Sequence, residues 1–250
     1  MIVARRFIAV LVGIACILGG IIVVGKLARD YLDARQHRDV LFYEIQCEVP
    51  SGLDRLGFLH EVRNSSGFAD VVPIPDPELT EKLSTAFLKH PSVESVTKVE
   101  SNARIGIRVE LVLRKPVLGV EIESSGKLFV IDHESRLLPH HTANLLRFTA
   151  PIEAPTVGVG EVWDDPTIKA AVRVATVLAP EQERFRFRVL EVTPFGWRLR
   201  GENGQSVVLW GRAPGDEQGD EPPASKKIEK LREALPKSGH LTNDLDLRKF

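Results

Sequence analysis

The sequence predicts an α+β protein with a single N-terminal transmembrane helix, a β-α-α-β-β domain, and a β-rich domain that has a meander sheet and flanking helices. Three observations predict this class. Residues 7–25 form an apolar run without a charge, strand-like alternation dominates residues 103–122 and 186–212, and helical periodicity appears in the segments between them. At 250 residues the chain has room for one large or two small domains.

Charge and cysteine content narrow the function classes. The 33 basic and 34 acidic residues nearly cancel, which argues against a general nucleic-acid binder with its excess of basic residues. Cys16 and Cys47 cannot form a disulfide framework, so cysteine usage does not settle the redox compartment.

The N-terminal apolar run favours a retained membrane anchor. Its 19 residues, counted over 7–25, would give roughly 28 Å of helix, close to the hydrocarbon thickness of a bilayer. A cleaved signal peptide is the alternative, but its apolar region is usually shorter. We therefore predict a short tail at residues 1–6, a transmembrane helix at 7–27 and a charged stalk at 28–39.

The first folded domain is predicted at residues 40–122. Apolar residues at helical spacing in 77–91 and a proline after them support the stronger of its two helices. In chain order the predicted elements are a strand at 40–49, helices at 52–62 and 77–91, and strands at 92–100 and 103–122.

The second domain is predicted at residues 123–250. Its central helix begins with Asp165 as a good N-cap residue and Pro166 in the first turn. In chain order the predicted elements are a hairpin at 126–139, the helix at 165–180, a β-meander at 186–212, a flexible acidic loop at 213–225, a helix at 226–235 and a terminal edge strand at 243–250.

Three stretches, taken in order and spacing, resemble the FtsQ/DivIB family of bacterial cell-division proteins. The first is VELVLRKPVLGVEI followed by LFVID, the second is GWRLRGENGQSVVLWGR, and the third is KKIEKLREAL followed by DLDLR. The resemblance covers about residues 40–250. Trp210 stands inside the leucine-glycine pair of the second stretch, which implies a bulge or a shifted register there.

The resemblance implies a POTRA-like first domain, a β domain after it, and a function without catalysis. The chain would be a membrane-anchored assembly protein that binds division proteins similar to FtsB and FtsL and builds or regulates the septal complex. It would lie in the bacterial inner membrane at the division site, with a cytoplasmic N-terminus and its soluble domains outside the cytoplasm. No cofactor, metal ion or nucleic acid is implied.

The terminal strand is the candidate partner-binding site. An exposed edge strand can pair its backbone groups with a partner strand, which is β-augmentation. The alternative is structural: Leu245 and Leu247 pack inward and Phe250 covers the edge of the core, and both interpretations can hold together. The candidate partner-binding residues are Asp244, Leu245, Asp246, Leu247, Arg248, Lys249 and Phe250, with Lys227 and Lys230 on the preceding helix.

Catalytic and metal-binding chemistry has little support in the motifs. The sequence has no nucleophile elbow, phosphate loop or H-E-x-x-H motif. We interpret Asp164 and Asp165 as helix-capping groups. We interpret Trp197 and Trp210 as hydrophobic core residues, in preference to residues that stack on a sugar or a base. Asp132, His133, His140 and His141 are the candidate metal ligands, but a metal site would need a closed set of ligands at proper geometry. We favour the interpretation that they form the polar, solvated edge of a hairpin.

Two other function classes remain open. One is an envelope transport or secretion accessory protein that uses a POTRA-like domain outside cell division. The other is an enzyme whose site is assembled from distant segments, which a pocket with convergent ionisable groups would indicate.

Overall fold

The structure is a computed structural model, and it describes residues 19–28, 39–74, 76–102, 106–139, 144–201, 207–234 and 244–249. The chain divides into two compact units. The first comprises Met1–Glu48, Leu59–Phe87 and Val96–Leu111, and the second comprises Val49–Phe58, Leu88–Ser95 and Val112–Phe250.

Four strands and two α-helices are described between residues 39 and 113. Strand β1 (Asp39–Leu41) pairs antiparallel with β2 (Val71–Pro73). The other elements are α1 (Arg55–Ser66), α2 (Leu79–Leu88), β3 (Val93–Asn102) and β4 (Gly106–Leu113), and β3 pairs with β4.

The predicted strand at residues 40–49 is interrupted. After β1 the chain makes a 3₁₀ turn at Phe42–Glu44, and Gln46 then bridges β4 through Gln46 N to Ile107 O (3.0 Å) and Val109 N to Gln46 O (2.8 Å). Phe42 and Ile45 are both fully buried. A three-residue spacing of buried side chains suits a 3₁₀ turn and not an alternating strand.

An eight-stranded sheet is the centre of the second unit, in the order β12-β11-β10-β9-β8-β5-β6-β7. Neighbouring pairs β5/β8, β8/β9 and β11/β12 are parallel, and the others are antiparallel. The strands are β5 (Pro116–Ile122), β6 (Leu128–Asp132), β7 (Leu137–Leu138), β8 (Leu146–Ala150), β9 (Phe187–Thr193), β10 (Gly196–Gly201), β11 (Val207–Gly211) and β12 (Leu245–Asp246).

Among the described residues, three α-helices accompany this sheet: α3 (Pro166–Leu178), α4 (Gln182–Phe185) and α5 (Ala224–Ala234). Helix α3 follows β8 and precedes its parallel neighbour β9, so it forms the crossover that parallel strands require. The inner faces of α3 and α5 share one core with the sheet, in which Phe148, Leu199 and Trp210 are fully buried.

The predicted α+β class is wrong, because the protein is mixed α/β. No strand was predicted at β8, and without it the crossover through α3 and the two parallel pairs that β8 makes could not be foreseen. Strand β5 also belongs to the large sheet, whereas the predicted boundary between the domains lies after Ile122. Pro116 is the first residue of β5 and lacks a backbone N–H group. The break in strand pairing at this proline separates β5 from β4.

The predicted transmembrane helix at residues 7–27, and with it a single-pass location in the bacterial inner membrane, is also wrong. Within the described ranges, no helix combines the length and the apolar character needed to cross a bilayer. Residues 19–28 are helical, but ten residues reach only about 15 Å. Residues 7–18 of the predicted span, and most of the predicted stalk at 28–39, lie outside the described residues.

The predicted N-cap of α3 is confirmed. Asp165 Oδ1 accepts hydrogen bonds from Thr167 N (2.8 Å) and Ile168 N (3.0 Å), and Pro166 is the first helical residue. The neighbouring Asp164 instead binds the Lys169 ammonium at the surface.

Replacing Asp165 with alanine should therefore lower the free energy of unfolding by about 1 kcal/mol, because two amide donors lose their acceptor. Urea denaturation of the full chain measures this loss. Asp164→Ala is the matched control and should change stability by less than about 0.5 kcal/mol, since its ion pair is exposed. Equal losses in both variants would contradict the capping role.

The predicted bulge at Trp210 is confirmed as well. Trp197 pairs with Gly211 and Arg198 pairs with Leu209, which leaves Trp210 as the extra residue of β11. Trp210 is fully buried and Trp197 is only 6% exposed. Both tryptophans are therefore parts of the core, and neither offers an exposed ring face on which a sugar or base could stack.

Candidate partner-binding edge

Strand β12 is the last strand at one edge of the large sheet. It runs parallel to β11, with Leu245 opposite Val208 and Asp246 opposite Leu209. Leu247 N donates a hydrogen bond to Leu209 O (2.9 Å), and Asp244 Oδ1 accepts one from Val207 N (2.9 Å). The chain is thus attached to β11 on both sides of the two-residue strand.

The backbone of Asp246 points away from the sheet. Along an extended strand, successive residues direct their N–H and C=O groups to opposite sides. Because Leu247 N points towards β11, the N–H and C=O of Asp246 face the outer side of β12. Among the described strands, none lies beyond β12. These two groups are therefore placed to pair with an added strand.

Side chains on β12 alternate between core and surface. Leu247 is fully buried in the core and Leu245 is half-buried against it, whereas Asp246 is exposed. This placement matches the structural interpretation of the two leucines and leaves the outer backbone edge open. Both interpretations made from the sequence thus remain compatible with the fold.

A local ion pair holds the end of the strand. The Asp246 carboxylate accepts hydrogen bonds from Arg248 N (2.9 Å), Arg248 Nε (2.9 Å) and Arg248 Nη2 (2.7 Å). The hydrogen bonds from Arg248 hold the pKa of Asp246 below its usual value, and the same pair raises the pKa of Arg248. At neutral pH both groups are therefore charged, and the turn after Asp246 is closed.

The opposite edge of the sheet is covered. The loop after β8 pairs with β7 through Gly160 N to Leu137 O (2.8 Å) and Leu137 N to Glu161 O (3.0 Å). Trp163 N also donates to Ser135 O (2.8 Å) in the adjoining turn. Of the two edges, the one at β12 is therefore the one open to a further strand within the described part of the chain.

A cavity of about 490 Å³ lies beside the end of β12. Trp197 and Ala213 line it and are nearly buried, and Phe195 on the β9–β10 turn is 76% exposed. Arg212 and Arg248 supply positive charge at its border, and Asp216 supplies a carboxylate there. The edge is thus adjacent to a surface that has both apolar and charged groups.

The other candidate partner-binding residues are placed unequally. Lys249 is exposed, Lys230 on α5 is half-buried within reach of Glu233 (3.8 Å), and Phe250 lies outside the described residues. Lys227 is 0% exposed, so its ammonium does not face solvent and cannot meet a partner directly. Its position four residues before Leu231 places it on the inner face of α5.

Asp132, one of the residues considered for a metal site, is instead part of a buried ion pair. The side chain of Asp132 is fully buried, and its Oδ2 accepts a hydrogen bond from Arg114 Nη1 (2.7 Å). His140 and His141 lie outside the described residues. Over the residues that the structure covers, no group of three or more histidine, cysteine, aspartate or glutamate side chains could hold a metal ion.

Comparison with known proteins adds no relative. No protein-family model matches the chain, and no curated protein matches it. The resemblance to the FtsQ/DivIB family therefore remains a hypothesis that depends on the three sequence stretches.

Sequence reasoning missed Glu221, which lies in the acidic loop and contacts both β11 and α5. Composition alone does not distinguish Glu221 from the other acidic residues of the segment 213–225, which was predicted to be flexible. The signal that could have found it is Lys227, since a lysine at a core position of α5 needs a nearby carboxylate. The choice of Glu221 among the loop acids depends on tertiary contacts alone.

Proposed function

We propose that this protein is a non-enzymatic assembly protein of bacterial cell division, of the FtsQ/DivIB kind. It binds division proteins similar to FtsB and FtsL and so helps to build or regulate the septal complex. The binding mechanism is β-augmentation, in which a partner strand adds to the outer side of β12.

The open edge at β12 is the observation that supports this proposal. Exposed edge strands are templates for pairing, and proteins usually cover or blunt them. Here the β7 edge is covered by its own loop, while the N–H and C=O of Asp246 point outward. The cavity next to it, lined by apolar and charged side chains, provides places for side chains that flank the partner strand.

Proline at Asp246 tests the pairing directly. It should weaken capture of co-expressed FtsB-like and FtsL-like proteins by about tenfold or more, because the outward N–H donor is lost. The full chain is purified and the bound partner is quantified. Asp246→Ala is the matched control, since it removes the carboxylate and keeps the N–H. Proline at Leu247 is less useful, because that N–H bonds β11 and its loss would detach the strand.

Two results would contradict the proposal. The first is that the wild-type chain captures none of these proteins. The second is that Asp246→Pro captures them as well as Asp246→Ala does while its tryptophan fluorescence shows an intact fold. A fluorescent fusion separates division from transport: a midcell ring supports the former, and uniform label argues against it.

A further inference from the structure

Lys227 is a buried cation in a protein whose other lysines lie largely at the surface of the described part. It is 0% exposed and lies under Trp210, with Nζ 5.3 Å from the ring centroid. Its Nζ donates a hydrogen bond to Glu221 Oε1 (2.6 Å). A buried ammonium is costly unless it is paired, so this carboxylate is required at this position.

Glu221 binds two elements with one oxygen atom. Besides the Lys227 ammonium on α5, its Oε1 accepts a hydrogen bond from Arg212 N (2.7 Å) at the end of β11. The Glu221 side chain, which is 11% exposed, thus ties the acidic segment 213–225 both to the end of β11 and to Lys227 on α5.

Gly211 connects this point to β12. A Cβ atom at Gly211 would lie 2.1 Å from Glu221 Oε1 and 3.0 Å from Arg248 Cγ. Glu221 and the stem of Arg248 therefore occupy the space that a larger residue would fill. The pKa of Arg248 is raised mainly by its hydrogen bonds to Asp246, and the negative charge of Glu221 adds to this effect.

Strand β12 needs such support because it is short. It has two residues in register with β11, and a strand of that length contributes few hydrogen bonds of its own. Arg248 closes the turn after Asp246, and its stem rests against Gly211 beside Glu221. Moving Glu221 would remove one side of the space that confines Arg248.

We propose that the buried Glu221–Lys227 ion pair is a positioning device for the partner-binding edge. Through Gly211 and Arg248 it holds β12 in register with β11, so that the acidic segment controls whether the outward backbone groups of Asp246 are presented. This inference rests on the proposed function for its biological meaning, but its physical content concerns β12 alone. Glu221 and Lys227 act through Arg248 and do not touch the partner.

Amide hydrogen exchange on the full-length chain tests this role without a partner. In Glu221→Gln and in Lys227→Met, the Leu247 amide should exchange at least about tenfold faster, because β12 opens locally. The amides of Leu190 and Leu199 in β9 and β10 should keep their wild-type rates. Lys226→Met is the matched control: its side chain is exposed beside Lys227, and it should leave the Leu247 amide unchanged.

Unchanged exchange at Leu247 would overturn the proposal. So would equal acceleration at Leu190 and Leu199, because the ion pair would then stabilise the unit as a whole. Partner capture, measured in parallel, distinguishes the two proposals. If wild-type protein captures no FtsB-like or FtsL-like protein but Leu247 responds as expected, the proposed function fails and the positioning role stands.

Discussion

Replacing Asp132 with alanine is expected to lower the free energy of unfolding by about 3 kcal/mol or more, because Arg114, whose side chain is only 11% exposed, loses its fully buried partner and keeps only the exposed Glu134. Asp132 Oδ2 accepts from Arg114 Nη1, and its Oδ1 accepts from Glu134 N and Arg136 N (both 2.9 Å). The substitution thus removes one ionic and two backbone contacts at the β6–β7 turn. Removing one partner of a buried pair costs more than the pair itself contributes.

Tryptophan fluorescence during urea denaturation measures the unfolding of the second compact unit, which contains Asp132. The chain has three tryptophans, and all of them lie in the second unit. Glu134→Gln is the matched control, because Glu134 binds the same Arg114 nitrogen (2.7 Å) but its side chain is 47% exposed. The Glu134→Gln variant should lose less than about 1 kcal/mol of unfolding free energy. A loss in Asp132→Ala as small as in Glu134→Gln would show that burial of the pair has no energetic importance.

Replacing Gly196 with alanine is the second change with a large expected effect. Gly196 has a φ of 110°, and a Cβ atom there would lie 2.3 Å from both the carbonyl carbon and oxygen of Gly211. Both contacts are with backbone, so rotation of a side chain cannot relieve them. The strained φ and the clash together should cost about 3 kcal/mol or more and should disturb the β10–β11 pairing at the Trp210 bulge.

Gly201→Ala is the matched control for this change. Gly201 lies at the other end of β10, its φ is not in the left-handed region, and no described atom lies within 4 Å of the place that an added Cβ atom would take. We expect a change in stability of less than about 1 kcal/mol, in either direction. Fluorescence-detected unfolding of both variants gives the comparison. Similar stabilities of the two variants would contradict the close approach of Gly196 to Gly211.

Some local features could be predicted because their causes are local. The α3 helix follows from its apolar periodicity, with Asp165 and Pro166 defining its start. The antiparallel β9–β10–β11 meander follows from alternation and turn residues, and the extra Trp210 predicts its bulge. In each case the interacting groups lie within a few residues of one another or in adjacent strands.

The candidate site was predicted in part. Leu245, Leu247 and the alternating charges indicated a terminal strand, and the structure places Leu245–Asp246 at an edge of the sheet. The direction of its pairing was not predictable, because alternation is the same in parallel and antiparallel strands. The position of Lys227 was misjudged, since its exposure depends on a carboxylate from a loop that periodicity does not describe.

The sequence by itself determined the local elements: where α3 begins, which strands form the meander, and that a strand includes Leu245 and Asp246. The tertiary structure alone decided that β8 and β9 run parallel across α3, that β5 joins the larger sheet, and that Glu221 meets Lys227 beside Gly211. Hydrophobic periodicity and capping act over a few residues, so they can be read along the chain. Strand order and buried ion pairs depend on contacts between distant residues, whose partners are chosen only when the whole core is packed.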